Sequence, residues 1–156
     1  MSTDAPQRDR GMGWVVVQFV LMFAVLAAGP LWRAQWSGWW NWLLGGVLLL
    51  LGARVGIEGD RQLGRHRTPF PKPKADGELV TSGIYARVRH PLYLAVILLG
   101  FAWAVLWRSG PAVVLALAQI PFFDAKARRE ERWLRERFAG YADYARRVKR
   151  FIPGLY

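Results

Sequence analysis

The run Gly-Ile-Tyr-Ala-Arg-Val-Arg-His-Pro-Leu-Tyr-Leu-Ala, residues 83–95, decides how this chain reads, because it sets ionisable and aromatic groups against the start of an apolar segment. Pro91 has a fixed φ and no N–H, which suits the first position of a helix, so a helix is expected from Pro91 with His90 at its N-cap. The residue before a proline is held extended, and the chain turns there. The free N–H groups and positive dipole end of that helix, with Arg87, Arg89 and His90 beside them, make a seat for an anionic group. A basic collar where a membrane helix leaves the bilayer is the competing reading of the two arginines.

Outward from this run, formal charge is absent over long intervals. Between Arg10 and Arg33 lie 22 residues without a charge, and between Arg33 and Arg54 lie 20; each is enough to cross a hydrocarbon core of about 30 Å. Residues 91–107 and 109–123 are uncharged too, joined by the turn Arg108-Ser109-Gly110-Pro111 as a helical hairpin. The expectation is an all-α polytopic membrane protein, one domain over residues 1–156. It has four transmembrane helices at about 11–32, 36–55, 91–107 and 110–127 and a C-terminal amphipathic helical segment.

Residues 54–90 carry eight Lys or Arg and residues 124–156 carry ten, against one arginine in each opposite turn, Arg33 and Arg108. By the positive-inside pattern both termini and the central loop face the cytoplasm, in a bacterial inner membrane. The net charge of +11 is assigned to that orientation and not to nucleic acid, because the bases lie on no recognisable groove-reading element. Trp32, Trp36, Trp39, Trp40 and Trp42 form the belt expected at headgroup depth. With no cysteine, disulfides, thiolate catalysis and zinc-cysteine sites drop out, and no metal is expected. The basic-then-apolar N-terminus also has the order of a cleavable signal, but its apolar run exceeds the usual signal core and more spans follow at once.

The first span is expected to stop at Gly29-Pro30, a helix-ending pair. Gly52 and Gly56 share one face of the second, a spacing that permits close helix contact or a dimer. From Glu58 to Ser82 the chain is polar, with Pro69, Pro71 and Pro73, and an irregular path is expected. Gly83 allows a positive φ or the close approach of a ligand, with a plain turn as the simpler reading. The fourth span runs on into the charged stretch from Asp124 to Phe138. There Glu130, Leu134, Phe138 and Tyr141 are spaced four, four and three apart, so Glu130 heads an apolar stripe and needs a partner or a ligand. Glu131, one step round, is expected to pair with Arg128 or Arg135. The segment from Gly140 to Pro153 reads as an amphipathic tail on the bilayer surface or as a cover over the site.

Two motifs therefore lie in order, Arg-His-Pro-Leu-Tyr at 89–93 and Glu-Glu-Arg-Trp-Leu at 130–134, one helical hairpin apart. With Arg-Phe-Ile-Pro at 150–153, they resemble the integral-membrane methyltransferases of the isoprenylcysteine carboxyl methyltransferase and phospholipid methyltransferase superfamily, over about residues 79–153. The resemblance implies S-adenosylmethionine-dependent methyl transfer to a lipid-like or apolar acceptor near the cytoplasmic interface. By matching position it nominates Arg89, His90, Tyr93, Glu130 and Glu131 for the cofactor pocket, with Gly83, Tyr85 and Leu134 as further candidates. Ala95 stands where the family commonly has glycine, which either narrows the pocket or alters helix packing.

Within that implied chemistry, the helix start at His90 suits the cofactor's carboxylate, Glu130 or Glu131 its ammonium or ribose, and Tyr93 or Tyr141 its sulfonium. Arg89, Glu130 and Arg150 are the catalytic candidates. Arg150 or Arg87 orients a carboxylate acceptor by a bidentate contact, whereas an amine acceptor needs a glutamate or His90 to take a proton. A prenylated cysteine carboxylate, a phospholipid amine, a fatty or isoprenoid acid and a small thiol all remain open as acceptors, as does the oligomeric state. The rival reading is a non-catalytic four-helix membrane protein whose basic face binds anionic lipid or a partner subunit.

Overall fold

The computed structural model describes residues 11–34, 38–64 and 78–156. Among them the chain forms α1 (Met12–Leu31), α2 (Trp39–Leu63), α3 (Pro91–Leu106), α4 (Gly110–Arg137) and α5 (Tyr141–Arg147), with a 3₁₀ turn at Gly83–Ala86 before α3. Trp36 and the prolines at 69, 71 and 73 lie outside the described residues.

The first helix does not stop at Gly29-Pro30; it passes through Pro30 to Leu31. Pro30 has no N–H for the carbonyl of Leu26 four residues back. The indole N–H of Trp103 on α3 donates to that carbonyl instead, at 3.1 Å. Two residues on, the Ala28 carbonyl accepts from the Ser109 hydroxyl at 2.8 Å. Ser109 also caps α4, its Oγ accepting from the Ala112 N–H at 3.3 Å. One turn residue thus ends the α3–α4 hairpin and ties it to α1.

The second helix runs about two turns beyond the expected span, through Glu58, Asp60 and Arg61 to Leu63. Arg54 and Glu58 pair along this polar end at i,i+4, 3.1 Å apart, and Gly64 ends it at φ +47. The small residues of α2 form its seam with α3. Gly45 lies against Leu106, Gly52 against Leu98 and Leu99, Gly56 against Ala95, and Gly59 against Pro91 and Leu92. This answers the question of Ala95: its methyl packs on Gly56 in the helix seam, and it is buried there.

Two helices, α1 and α2, are long and apolar enough to cross a membrane, and α3 is a shorter apolar helix. Their apolar side chains face outward, with Val20, Phe23 and Leu50 at 61%, 66% and 71% exposure. A water-facing monomer rarely carries a contiguous apolar face of that kind, and the surface is suited to lipid. α4 is apolar in its first half and charged in its second. Its 28 residues carry the charged half past the start of α3, where the loop before α3 and the C-terminal tail close around it.

Candidate active site

The tail is fastened to the segment before α3 by backbone hydrogen bonds. Arg89 N–H donates to the Lys149 carbonyl at 2.9 Å and His90 N–H to the Arg150 carbonyl at 3.2 Å. Side chains repeat the tie: the Arg89 guanidinium donates to the Ala145 carbonyl at 2.8 Å, and the Tyr144 hydroxyl to the Tyr85 carbonyl at 2.6 Å. His90 is the N-cap of α3 with Pro91 in the first turn; at φ −126 and ψ 61 it lies outside the helical region, as a residue before proline does, without being fully extended.

The two adjacent glutamates divide the labour, and the burial is the reverse of the sequence expectation. Glu131 is the buried one. It meets His90 Nε2 at 3.2 Å, Arg89 Nη2 at 3.1 Å and Arg150 Nε at 2.9 Å, with Arg135 at 3.8 Å. Arg128 pairs with Asp124 instead. Burial alone would raise the Glu131 carboxyl, but the hydrogen bonds from His90 and Arg150 and the charge of Arg89 hold it well below the usual carboxylate range. The anion held by Arg89 and His90 at the start of α3 is therefore the protein's own Glu131. Glu130, at 24% side-chain exposure, accepts from the Tyr93 hydroxyl at 2.7 Å and stands 3.7 Å from His90 Nδ1.

The stripe that placed Glu130 also proves tertiary. α4 ends at Arg137, Phe138 is extended, and Tyr141 opens α5. Leu134, Phe138 and Tyr141 nevertheless pack together, because the chain folds back after Arg137.

A cavity of about 110 Å³ lies between these parts, lined by Tyr85, Arg89, His90, Tyr93, Glu130, Leu134, Tyr141 and Tyr144 and walled by Leu63, Glu78, Leu79, Val80, Pro91 and Leu92. Six of the nominated residues share it: Tyr85, Arg89, His90, Tyr93, Glu130 and Leu134. Three do not. Glu131 sits behind the wall as the counter-ion of its cations. Arg150 has its guanidinium taken by Glu131, by Asp124 at 2.6 Å and by Tyr156 at 3.2 Å, so it positions Glu131 and the tail and does not reach the cavity. Gly83 has φ +56, and Gln62 occupies the space a Cβ would need; the Gln62 side chain accepts from the Ile84 N–H at 3.0 Å. Its glycine serves the turn. Arg87 is exposed.

The polar groups of the residues around the cavity are unevenly satisfied. Among the described residues, Arg89 Nε and the Tyr141 hydroxyl are buried without a hydrogen-bond partner. Burial, followed by the charge of Glu131, raises the Tyr141 hydroxyl above its ordinary value, so it stays protonated and able to donate. His90 stacks flat on Tyr93, with ring centroids 5.3 Å apart, and Tyr93 stacks on Phe123 at 5.0 Å. A carboxylate, two unused donors and aromatic faces match the ammonium, hydroxyl and carboxylate groups, and the sulfonium, of the cofactor class that the motifs imply. The volume is below the roughly 300 Å³ at which small-molecule pockets begin. Glu78, Leu79 and Val80, which belong to no helix, form one edge of the cavity.

Sequence reasoning missed Gln62 and read Tyr144 only as part of the closing segment, not as a wall of the cavity. Tyr144 follows Tyr141 by three residues, a helix-face spacing that signals a shared wall. Nothing local marks Gln62.

Against known proteins, the phospholipid methyltransferase family matches residues 40–140, the span from α2 through the glutamate pair. The chain is 35% identical over 147 residues, 93% of its length, to the cobalt-zinc-cadmium resistance protein CzcN of Cupriavidus metallidurans. It is 31% identical over 144 residues, 91% of its length, to the nickel-cobalt-cadmium resistance protein NccN of Alcaligenes xylosoxydans xylosoxydans. It spans 63% of the length of each. The match covers both motifs and the helical hairpin between them, and the chain belongs to the phospholipid methyltransferase family.

Proposed function

We propose that this chain is an integral-membrane methyltransferase that takes its methyl group from S-adenosylmethionine and passes it to a lipid-like or apolar acceptor at the cytoplasmic face. In this reading α1, α2, α3 and the apolar half of α4 span a bacterial inner membrane, and both termini are cytoplasmic. Membrane lipids surround it. The observation that carries the proposal is the cavity at Glu130, where a carboxylate held by Tyr93 shares the lining with Arg89 and Tyr141, whose Nε and hydroxyl are buried without a partner among the described residues.

When bound, S-adenosylmethionine supplies an electrophilic methyl group on a sulfonium. Glu130, held by Tyr93, takes the cofactor's ammonium or ribose hydroxyls, while Arg89 Nε and the Tyr141 hydroxyl donate to its oxygens. The flat His90–Tyr93 stack offers an electron-rich face to the sulfonium. The Glu131 cluster keeps Arg89 and His90 in place, and α5 excludes water. A carboxylate acceptor needs no base; an amine gives its proton to Glu130 or His90. The names of the two relatives add metal resistance as the setting in which to look for the acceptor.

The test is calorimetric titration of S-adenosylmethionine and its demethylated product into purified protein, with Glu130→Gln and His90→Ala beside it. Saturable binding by wild type, weakened at least tenfold in Glu130→Gln, is the expected result. Folded wild type that binds neither compound, in lipid as in detergent, returns the weight to a protein that binds anionic lipid through its basic face.

A further inference from the structure

Lys126 lies one turn before Glu130 on α4 and is 1% exposed. A lysine where a helix leaves a membrane ordinarily extends its long stem to put the ammonium in water; here the whole side chain turns inward. Its Nζ donates to the Gln18 side-chain oxygen on α1 and stands 5.2 Å from the centre of the Tyr93 ring. The core packed on that ring is apolar, built from Ile97, Phe123, Ala127 and Phe151. An amide oxygen and a ring face carry no full negative charge, and a buried cation is costly unless an anion is near. Glu130 is that anion. It follows Lys126 by four residues on one face of α4, and its charge acts on Lys126. The hydroxyl of the same Tyr93 donates to it at 2.7 Å. Tyr93, which lines the cavity, therefore has a cation fixed beside its ring and an anion fixed at its hydroxyl.

We infer that Lys126 sets the site's preference between S-adenosylmethionine and its demethylated product, by holding a positive charge beside the ring that receives the sulfur. This deepens the methyltransferase reading and rests on it. The two compounds share their ammonium, carboxylate, ribose and adenine and differ by one methyl group and the positive charge on sulfur. As the counter-charge of Glu130, Lys126 acts on both alike. As a cation near the sulfur it opposes the sulfonium and leaves the neutral thioether untouched. It also draws on the same ring density that a sulfonium would use. Opposition to a charge that fades as the methyl group leaves weakens the ground state more than the transition state, which favours transfer and not tight holding of the substrate. Lys126 acts through Tyr93 and Glu130 and is a positioning residue in this sense.

The test is calorimetric titration of S-adenosylmethionine and of its demethylated product into the full chain in nanodiscs at pH 7. Wild type is compared with Lys126→Met, Lys126→Gln and Lys126→Arg, and thermal unfolding confirms that each variant is folded. Methionine suits the apolar surroundings, and glutamine keeps a polar group for Gln18. Both neutral variants are expected to raise affinity for S-adenosylmethionine relative to the product by on the order of tenfold, the worth of one like charge within roughly a nanometre at the dielectric near a protein surface. Lys126→Arg keeps the charge and is expected to keep the wild-type ratio, even where both affinities fall. A residue that only fills the core would weaken both compounds together. An unchanged ratio in the folded neutral variants, or an equal change in Lys126→Arg, therefore overturns the inference while the methyltransferase reading stands on the binding itself. Wild type that binds neither compound overturns that reading and this inference with it.

Discussion

Arg150 and Glu131 meet in a two-point ion pair, Nε to Oε1 at 2.9 Å and Nη2 to Oε2 at 3.0 Å, which joins the C-terminal tail to α4. Because Glu131 also holds Arg89 and His90, one carboxylate binds together the tail, the loop before α3 and the long helix. Arg150 is pushed up from its ordinary value, first by the hydrogen bonds to Glu131, so the pair stays ionised.

Removing the buried member of the glutamate pair should therefore act on stability, and removing its neighbour on binding. Glu131→Ala strands three basic groups around an emptied site and is expected to cost on the order of 3–5 kcal/mol, the usual penalty for breaking a buried pair from one side. Glu130→Gln keeps an acceptor for Tyr93 and should change stability by under about 1 kcal/mol. Thermal unfolding of both variants in one detergent compares them directly; equal losses would mean that the two carboxylates share one role.

Acid should act through the same residue. The folded Glu131 carboxyl lies below its ordinary value of 4.5, so the folded state binds its proton less readily than the unfolded chain. Its contribution to stability is complete above about pH 4.5 and is lost as pH falls through the depressed folded value. Melting temperature measured from pH 7 to pH 3 should hold level and then drop, and Glu131→Gln should start lower and drop less.

Tyr93→Phe removes the hydroxyl that holds Glu130 at 2.7 Å while keeping the ring on His90 and Phe123. Cofactor affinity is expected to fall about tenfold, the worth of one charge-assisted hydrogen bond. Unchanged affinity in the titration would show that Glu130 needs no positioning.

Gly83→Ala should behave as a folding variant. At φ +56 an added Cβ meets both the left-handed backbone penalty, about 1–2 kcal/mol, and the Gln62 side chain. Chemical denaturation should report that loss, and the folded fraction should bind cofactor like wild type. A selective loss of affinity would put Gly83 on the ligand.

Much of the architecture is local and was legible without a fold. Uncharged intervals mark the apolar helices because charge is costly in hydrocarbon. His90-Pro91 marks the start of α3 because proline fixes φ and restricts its predecessor. The charged continuation of α4 follows from a stretch without a helix breaker until Gly140. Pro30 misled for a local reason: a missing donor ends a helix unless another group serves the bared carbonyl, and Trp103 lies 77 positions away.

The sequence by itself determined which residues carry charge and where the helices begin, and the resemblance of its two motifs to a known family grouped Arg89, His90 and Tyr93 with the glutamate pair. Only the tertiary structure decided which glutamate is buried. Adjacent residues on a helix point about 100° apart, and the face that becomes interior depends on Arg89, His90 and Arg150 arriving from elsewhere in the chain. It also decided that Arg150 braces the site from behind, that Ala95 faces Gly56, and that Gln119 is buried against Gly100. Each of these is a contact between distant segments, fixed by how the helices pack and not by any pattern within one of them.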